Sequence, residues 1–256
     1  MVVEGNMVTR WLVFIGLMLV FSSTLHSAEQ KPLPKSVVLT ELLTKYIPSL
    51  LPVKQIIELA YERLGIEVEW VELPSMRALK YSNEGRFDGE MIRASSVVNS
   101  GYDELLQVPT KLLDVEIRMY CLTATKCGDI YNKNLIVGHN VHIKFYDLLC
   151  RKHKFQCNSF YPYQQALTPL IQGKVDAIMS TPFELFGSIN EMSPMIYQSD
   201  LIVKIDAFHY LHKRLAHLIP KLTAELTKME KEGLKPDIAK QAIQALEKTN
   251  KIVPVY

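Results

Sequence analysis

AYERLGIEVEWVELPSMRALKYSNEGRFDGEMIR, residues Ala60 to Arg93, reads as one βαβ unit. An amphipathic helix ends near Leu64, and Gly65 is its stop signal. Ile66, Val68, Trp70 and Val71 follow as a short strand in which apolar residues mostly alternate with Glu. Pro74-Ser75 opens a second helix, Met76 to Ser82, which stops around Asn83-Glu84-Gly85. Asp88-Gly89 turns the chain into another short strand, Glu90 to Arg93. Parallel strands joined by a helix imply an α/β sheet, with ligands at the carboxyl ends of its strands. Arg77 and Arg93 lie beside those ends.

The A-Y-E-R-L-G helix end, the L-P-S-M-R-A-L helix start and the E-G-R-F-D-G turn before Arg93 resemble the periplasmic solute-binding proteins of type II, amino-acid-binding branch. Two later stretches extend the resemblance. Tyr102-Asp103-Glu104-Leu105 through Val108-Pro109 and Leu112-Leu113-Asp114-Val115 resembles the approach to that family's first interlobe crossing. Tyr210-Leu211-His212-Lys213-Arg214, followed by Leu218-Ile219-Pro220-Lys221-Leu222, resembles its C-terminal strand-to-helix passage. The resemblance implies an α/β, two-lobed periplasmic-binding-protein type II fold. Each lobe would be a mixed, mostly parallel sheet flanked by helices, and two crossover strands would join the lobes. No cofactor is implied.

Residues 29–36 form an extended entry, Val37 to Thr40 a first strand, and Tyr46-Ile47-Pro48 the loop before helix Val53–Leu64. Leu112 to Leu122 is the first crossing, with the second lobe beginning near Ala124. There Leu135 to Gly138 is a strand, Ile143 to Lys152 a helix, Phe155 to Tyr161 a strand and Tyr163 to Gln172 a helix ended by Gly173. Val175 to Met179 is a further strand, and Ser180-Thr181-Pro182 caps the next helix. Leu201 to Phe208 crosses back. Helices Leu215–Glu232 and Pro236–Lys248 close the chain. Leu215, Leu218, Ile219, Leu222, Leu226 and Met229 make a helical stripe, read as core packing. The expected divisions are 1–28 signal peptide, 29–123 first lobe, 124–200 second lobe, and 201–256 return crossing and first-lobe helices. Two crossings suit hinge closure over a ligand.

The chain has 256 residues, 48% apolar and 22% charged, with a formal net charge of +2. That balance argues against a dedicated nucleic-acid binder, which usually carries a strongly basic face. Arg10 precedes an apolar run, Trp11 to Phe21, which has the length of a signal-peptide core and falls short of the roughly 20 residues that span a bilayer. Met7 is an alternative start because Glu4 fits a positive leading segment poorly. Cleavage is expected near Ser27 or Ala28, an uncleaved anchor being the alternative. Export makes the four cysteines readable. Their spacing favours local bridges Cys121–Cys127 and Cys150–Cys157. Free buried thiols are the alternative, and the spacing is too long for a usual zinc knuckle.

Arg93 is the leading binding candidate, because its planar fork matches a carboxylate. The competing reading is a surface Arg paired with Glu90 or Asp88. Replacing it with Ala is expected to weaken binding and leave folding little changed. Arg77 either faces the cleft or braces Glu72. The turn Gly138 to His142 leads into a helix whose first amides attract anions. In the resembled family that turn holds Gly or Thr; here it is His139, Asn140, Val141 and His142. The two histidines lack a third metal ligand. The family's acidic ammonium partner is replaced by Ser180 and Thr181, with Glu184 one turn later. Ser180 and Thr181 read equally as a helix cap. Tyr46 and Tyr120 are the aromatic candidates, both open to a core reading.

No phosphate loop, G-x-S-x-G elbow or H-E-x-x-H occurs, so no enzyme is expected. The expected function is capture of a small polar, carboxylate-bearing, amino-acid-like solute for delivery to an ABC transporter in the inner membrane. Alternatives are a module that signals ligand binding to a membrane sensor, and a periplasmic enzyme using the same cleft. A monomer is expected.

Overall fold

The computed structural model describes residues 31–41, 50–99, 101–160, 167–186, 188, 189, 192–235 and 251–255. The quoted stretch is a βαβ unit. Strand β1 (Ser36–Glu41) leads to α1 (Leu51–Arg63), β2 (Glu67–Glu72), α2 (Ser75–Asn83) and β3 (Gly89–Ala94). β1 lies between β2 and β3 and is parallel to both. Gly65 closes α1 at φ +71°, a conformation open to a residue without Cβ. Gly89 is required by close approach, since a Cβ there would stand 2.2 Å from the Tyr210 carbonyl oxygen.

The chain continues through β4 (Leu105–Gln107), β5 (Leu113–Cys121), α3 (Ala124–Gly128), β6 (Ile136–Asn140) and α4 (Lys144–His153). Next come β7 (Gln156–Phe160), α5 (Thr168–Ile171), β8 (Ala177–Ser180), α6 (Pro182–Phe186), β9 (Ile196–His212), α7 (Ile219–Lys231) and β10 (Ile252–Pro254). The described strands join in the order β2-β1-β3-β9-β5-β8-β6-β7, with β4 and β10 also on β9. β5 and β9 run antiparallel side by side from Leu113 opposite Ala207 to Cys121 opposite Tyr197. They are the two crossings. β6 is parallel to β7 and β8, so each half of the sheet is mainly parallel and meets the other through an antiparallel seam.

Each half has its own apolar core. In the first, Leu39, Ile56, Ile57 and Met91 pack against Leu222, Leu226 and Met229 of α7. Burying one such side chain contributes roughly 1.5–3 kcal/mol. The α7 stripe is therefore core packing, as expected from its spacing. In the second, Met119, Val137, Tyr146, Leu149 and Met179 form one cluster and Tyr120, Leu170, Ile178 and Ile196 another. Both expected disulfides are present, with Cα separations of 5.6 Å for Cys121–Cys127 and 6.2 Å for Cys150–Cys157.

Two element readings need correction. The return crossing is not Leu201 to Phe208 but the whole of Ile196–His212. Ladder bonds to β3, β4, β5 and β10 hold its polar ends extended where no apolar alternation marks a strand. The helix read from Leu215 to Glu232 is divided. Lys213–Leu218 is a 3-10 turn, and α7 starts only at Ile219, with Pro220 in its first turn. A proline there lacks an N–H that the helix start would leave unbonded anyway. The leader, Tyr46, the first residues of the helix read from Tyr163 to Gln172 and the helix read from Pro236 to Lys248 lie outside the described residues. No described helix is long and apolar enough to cross a membrane.

Candidate functional site

The antiparallel seam forms the floor of a cavity of about 560 Å³, within the usual range for small-molecule sites. Alternate residues of a strand share a face, so Leu113, Val115 and Ile117 of β5 point one way. Leu113 pairs directly with Ala207 and Val115 with Ile205, giving an apolar floor of cross-strand pairs. One wall comes from α2 and the end of β3, the other from one face of α4 along most of its length and from the start of α6.

On the first wall, Ile92, Arg93 and Ala94 all line the cavity. Consecutive lining is possible because the register of β3 against β9 slips between Glu90 and Arg93, and a bulge re-aims side chains. The Arg93 fork is already engaged. Its Nε donates to Glu90 Oε2 at 2.7 Å, Nη1 to Ser75 Oγ at 2.6 Å and Nη2 to the Ser75 carbonyl at 3.0 Å. Behind this pair, buried His209 lies 2.8 Å from the Glu90 carbonyl through Nδ1 and 2.9 Å from the Tyr61 hydroxyl through Nε2. A carbonyl only accepts, so Nδ1 carries the hydrogen and Nε2 accepts from Tyr61. Burial holds His209 down at about 4.

On the second wall, Thr181 and Glu184 make a reciprocal capping box at the start of α6. The Glu184 amide donates to Thr181 Oγ1 at 3.2 Å, and the Thr181 amide donates to Glu184 Oε2 at 3.4 Å. Tyr146 donates its phenolic hydrogen to the same carboxylate, and Asn140 Nδ2 and Ser180 Oγ each approach it at 3.4 Å. Burial pushes the Glu184 carboxyl above the usual range, an effect that these donors oppose. The turn after β6 is held by Asn140, whose Oδ1 accepts from the His142 amide at 2.9 Å.

Of the residues expected at the site, Arg93, His142, Thr181 and Glu184 line the cavity together. Asn140 and Ser180 do not line it and touch residues that do: Asn140 bonds Glu184 and the His142 amide, and Ser180 bonds Glu184 and the Thr181 carbonyl. His139 and Val141 do not line it; buried His139 faces Tyr146 instead, with ring centroids 6.0 Å apart. Arg77 is exposed and lies off the cavity, because Met76 and Leu79 take the inward face of α2. Tyr120 corrects the aromatic expectation. It falls on the opposite face of β5 from Ile117, in an apolar cluster, with a hydroxyl that has no partner among the described residues. Burial raises its pKa well above the ordinary tyrosine value. His139, Cys150 and Cys157 place ligand atoms within 4.8 Å of one another, but both sulfurs belong to a disulfide, which leaves the imidazole without thiolate partners. The sequence reading missed Ser75, Tyr146, Leu148 and Arg151 at this cavity. A signal for the last two was available: Leu148 and Arg151 share a helix face with Lys144.

No protein-family model matches the chain, and no curated protein matches it. Solved structures do. A GluR0 ligand binding core in complex with L-glutamate superposes with a TM-score of 0.68 at 12% identity, over 82% of this chain and 99% of that one. The amino acid ABC transporter substrate-binding protein AbpA from Streptococcus pneumoniae, bound to L-arginine, gives 0.65 at 13% identity, over 83% and 96%. The Bordetella pertussis BvgS VFT2 domain gives 0.65 at 12% identity, over 80% and 93%. The fold is the two-lobed type II fold of periplasmic binding proteins.

Proposed function

We propose that this chain is an exported solute-binding protein that captures a small carboxylate-bearing, amino-acid-like solute between its lobes and delivers it to an ABC transporter in the inner membrane. The observation that carries the reading is the cavity floored by both crossing strands and walled from both sides. A solute there touches both lobes, so binding favours the closed state. The likeness to AbpA supports the transport context. The lobes are taken as 29–123 with 201–256, and 124–200, behind a signal peptide of residues 1–28. No chemical step is assigned, and the chain works as a monomer.

Mass spectrometry of the protein released from its own periplasm under native conditions tests capture. The reading expects a bound small molecule that leaves chemically unchanged, on a chain starting between Ser27 and Gln30. A chemically converted ligand supports the enzyme reading instead. The likeness to a GluR0 ligand binding core and to the BvgS VFT2 domain, neither described as a transporter component, favours a second reading as a ligand-sensing module. Neighbouring genes for a permease and an ATPase support delivery; a neighbouring membrane sensor gene supports signalling.

A further inference from the structure

Among the described residues that line the cavity, Arg151 is a strong cation left unengaged, whereas Arg93 is bound to Glu90 and Ser75. Lys144, Leu148 and Arg151 stand at i, i+4 and i+7 along α4, so they share one face, and all three line the cavity. Arg151 is exposed and makes no ion pair or hydrogen bond among the described residues. Among the described residues Lys144 has only a long contact with Asp147, at 3.9 Å. Between them Leu148 is 49% exposed, a large apolar side chain open to the cavity. The opposite wall offers Leu79, Ile92 and Val97, over the apolar floor.

We propose that the solute has a predominantly apolar body, lying between Leu148 and the wall of Leu79, Ile92 and Val97, and that Arg151 takes its carboxylate. This rests on the capture reading above and narrows its solute to a carboxylate with an apolar body that needs no ammonium group. A free guanidinium can meet a carboxylate with two parallel hydrogen bonds, whereas the Arg93 fork would first have to release Glu90 and Ser75. A polar solute side chain laid on the floor would lose its water without gaining a hydrogen-bond partner, which is unfavourable. Glu184 already accepts from Tyr146, Asn140, Ser180 and Thr181, so it does not need an ammonium group from the solute.

The test uses the mature chain, stripped of bound solute by unfolding and refolding with its disulfides intact. Titration calorimetry compares 3-phenylpropanoate and octanoate with their neutral amides, with octylamine, and with L-glutamine and L-arginine. The acids are expected to bind at least tenfold more tightly than the amides and the amine. Arg151→Ala should weaken acid binding at least tenfold, and Arg151→Lys should recover part of it. The melting temperature of each ligand-free variant checks folding. Amides that bind as well as acids, or Arg151→Ala within threefold of the parent, overturn the assignment. Binding of L-glutamine or L-arginine without binding of the acids also overturns it, yet leaves capture in the cleft standing. An absence of any small molecule in the native mass spectrum strikes at the capture reading itself.

Discussion

Arg93 Nη2 lies 2.6 Å from Glu90 Oε2, and the two side chains are only 9% and 2% exposed. The pair is therefore part of the fold before any ligand arrives. Glu90 Oε1 has no partner among the described residues, so Arg93 is what compensates this carboxylate. Arg93→Ala leaves a buried charge unpaired and should lower stability by about 3–5 kcal/mol. With this pair in place, the substitution is expected to act on folding as well as on binding. The double variant Arg93→Ala, Glu90→Gln should recover a substantial part, a non-additivity that urea unfolding can measure. Equal stability of Arg93→Ala and parent would show that the pair is not structural.

His209 gives the protein an acid-sensitive core. Its folded value of about 4 lies below the ordinary 6.5, so between those values the unfolded chain binds more protons. The stabilising contribution is complete above pH 6.5 and is lost as pH falls towards 4. The total is about 3 kcal/mol, from the size of the depression. Chemical unfolding at a series of pH values should show that slope in the parent and a shallower one in His209→Gln. Parallel slopes would remove His209 as the source.

Glu184 works with the opposite sign. Its carboxyl is raised above the ordinary 4.5, so stability falls as pH rises from that value to the folded one. Tyr146→Phe removes a donor to the charged form and should lower stability by about 1.5–3 kcal/mol at neutral pH. The difference should narrow below pH 4.5, where the group is protonated in both states. A loss independent of pH would mean that packing of the Tyr146 ring, not the hydrogen bond, is what matters.

The βαβ unit, the local bridges and the α7 stripe were legible in the sequence because their signals are local: a stop glycine, a short cysteine spacing, a helical period. The full length of β9 was not, since partners distant in sequence hold Tyr197 to Asp200 extended. The site was legible only in part. Glu184 and Thr181 are marked by the T-x-x-E spacing, but their burial depends on Tyr146 from another helix. For Arg93 the competing reading, a pair with Glu90, is what the structure shows, while Ser75, its second partner, stands 18 positions away and carried no local signal. For Tyr120 the core reading holds and the cleft reading does not; the sequence left both open, since whether odd or even residues of β5 face the cavity depends on its packing in three dimensions.

The two bridges should contribute separately. Cys150 and Cys157 are 7 positions apart, so replacing both by Ser should lower stability by about 2–3 kcal/mol in the chain-entropy model. Cys121 and Cys127, 6 apart, should give a similar loss. Unreduced peptide maps should show the two local linkages. A Cys127–Cys150 linkage, or four alkylatable thiols in native protein, would contradict the pairing.

Capture between two lobes is tested most directly by hydrogen exchange of the solute-free protein against the protein carrying its co-purified molecule. The account predicts slowed exchange at Ile92–Val97 and at Ile143–Arg151 together, because a solute in the cavity touches both walls as the lobes close. Slowed exchange in only one of these segments, or in neither, would contradict it.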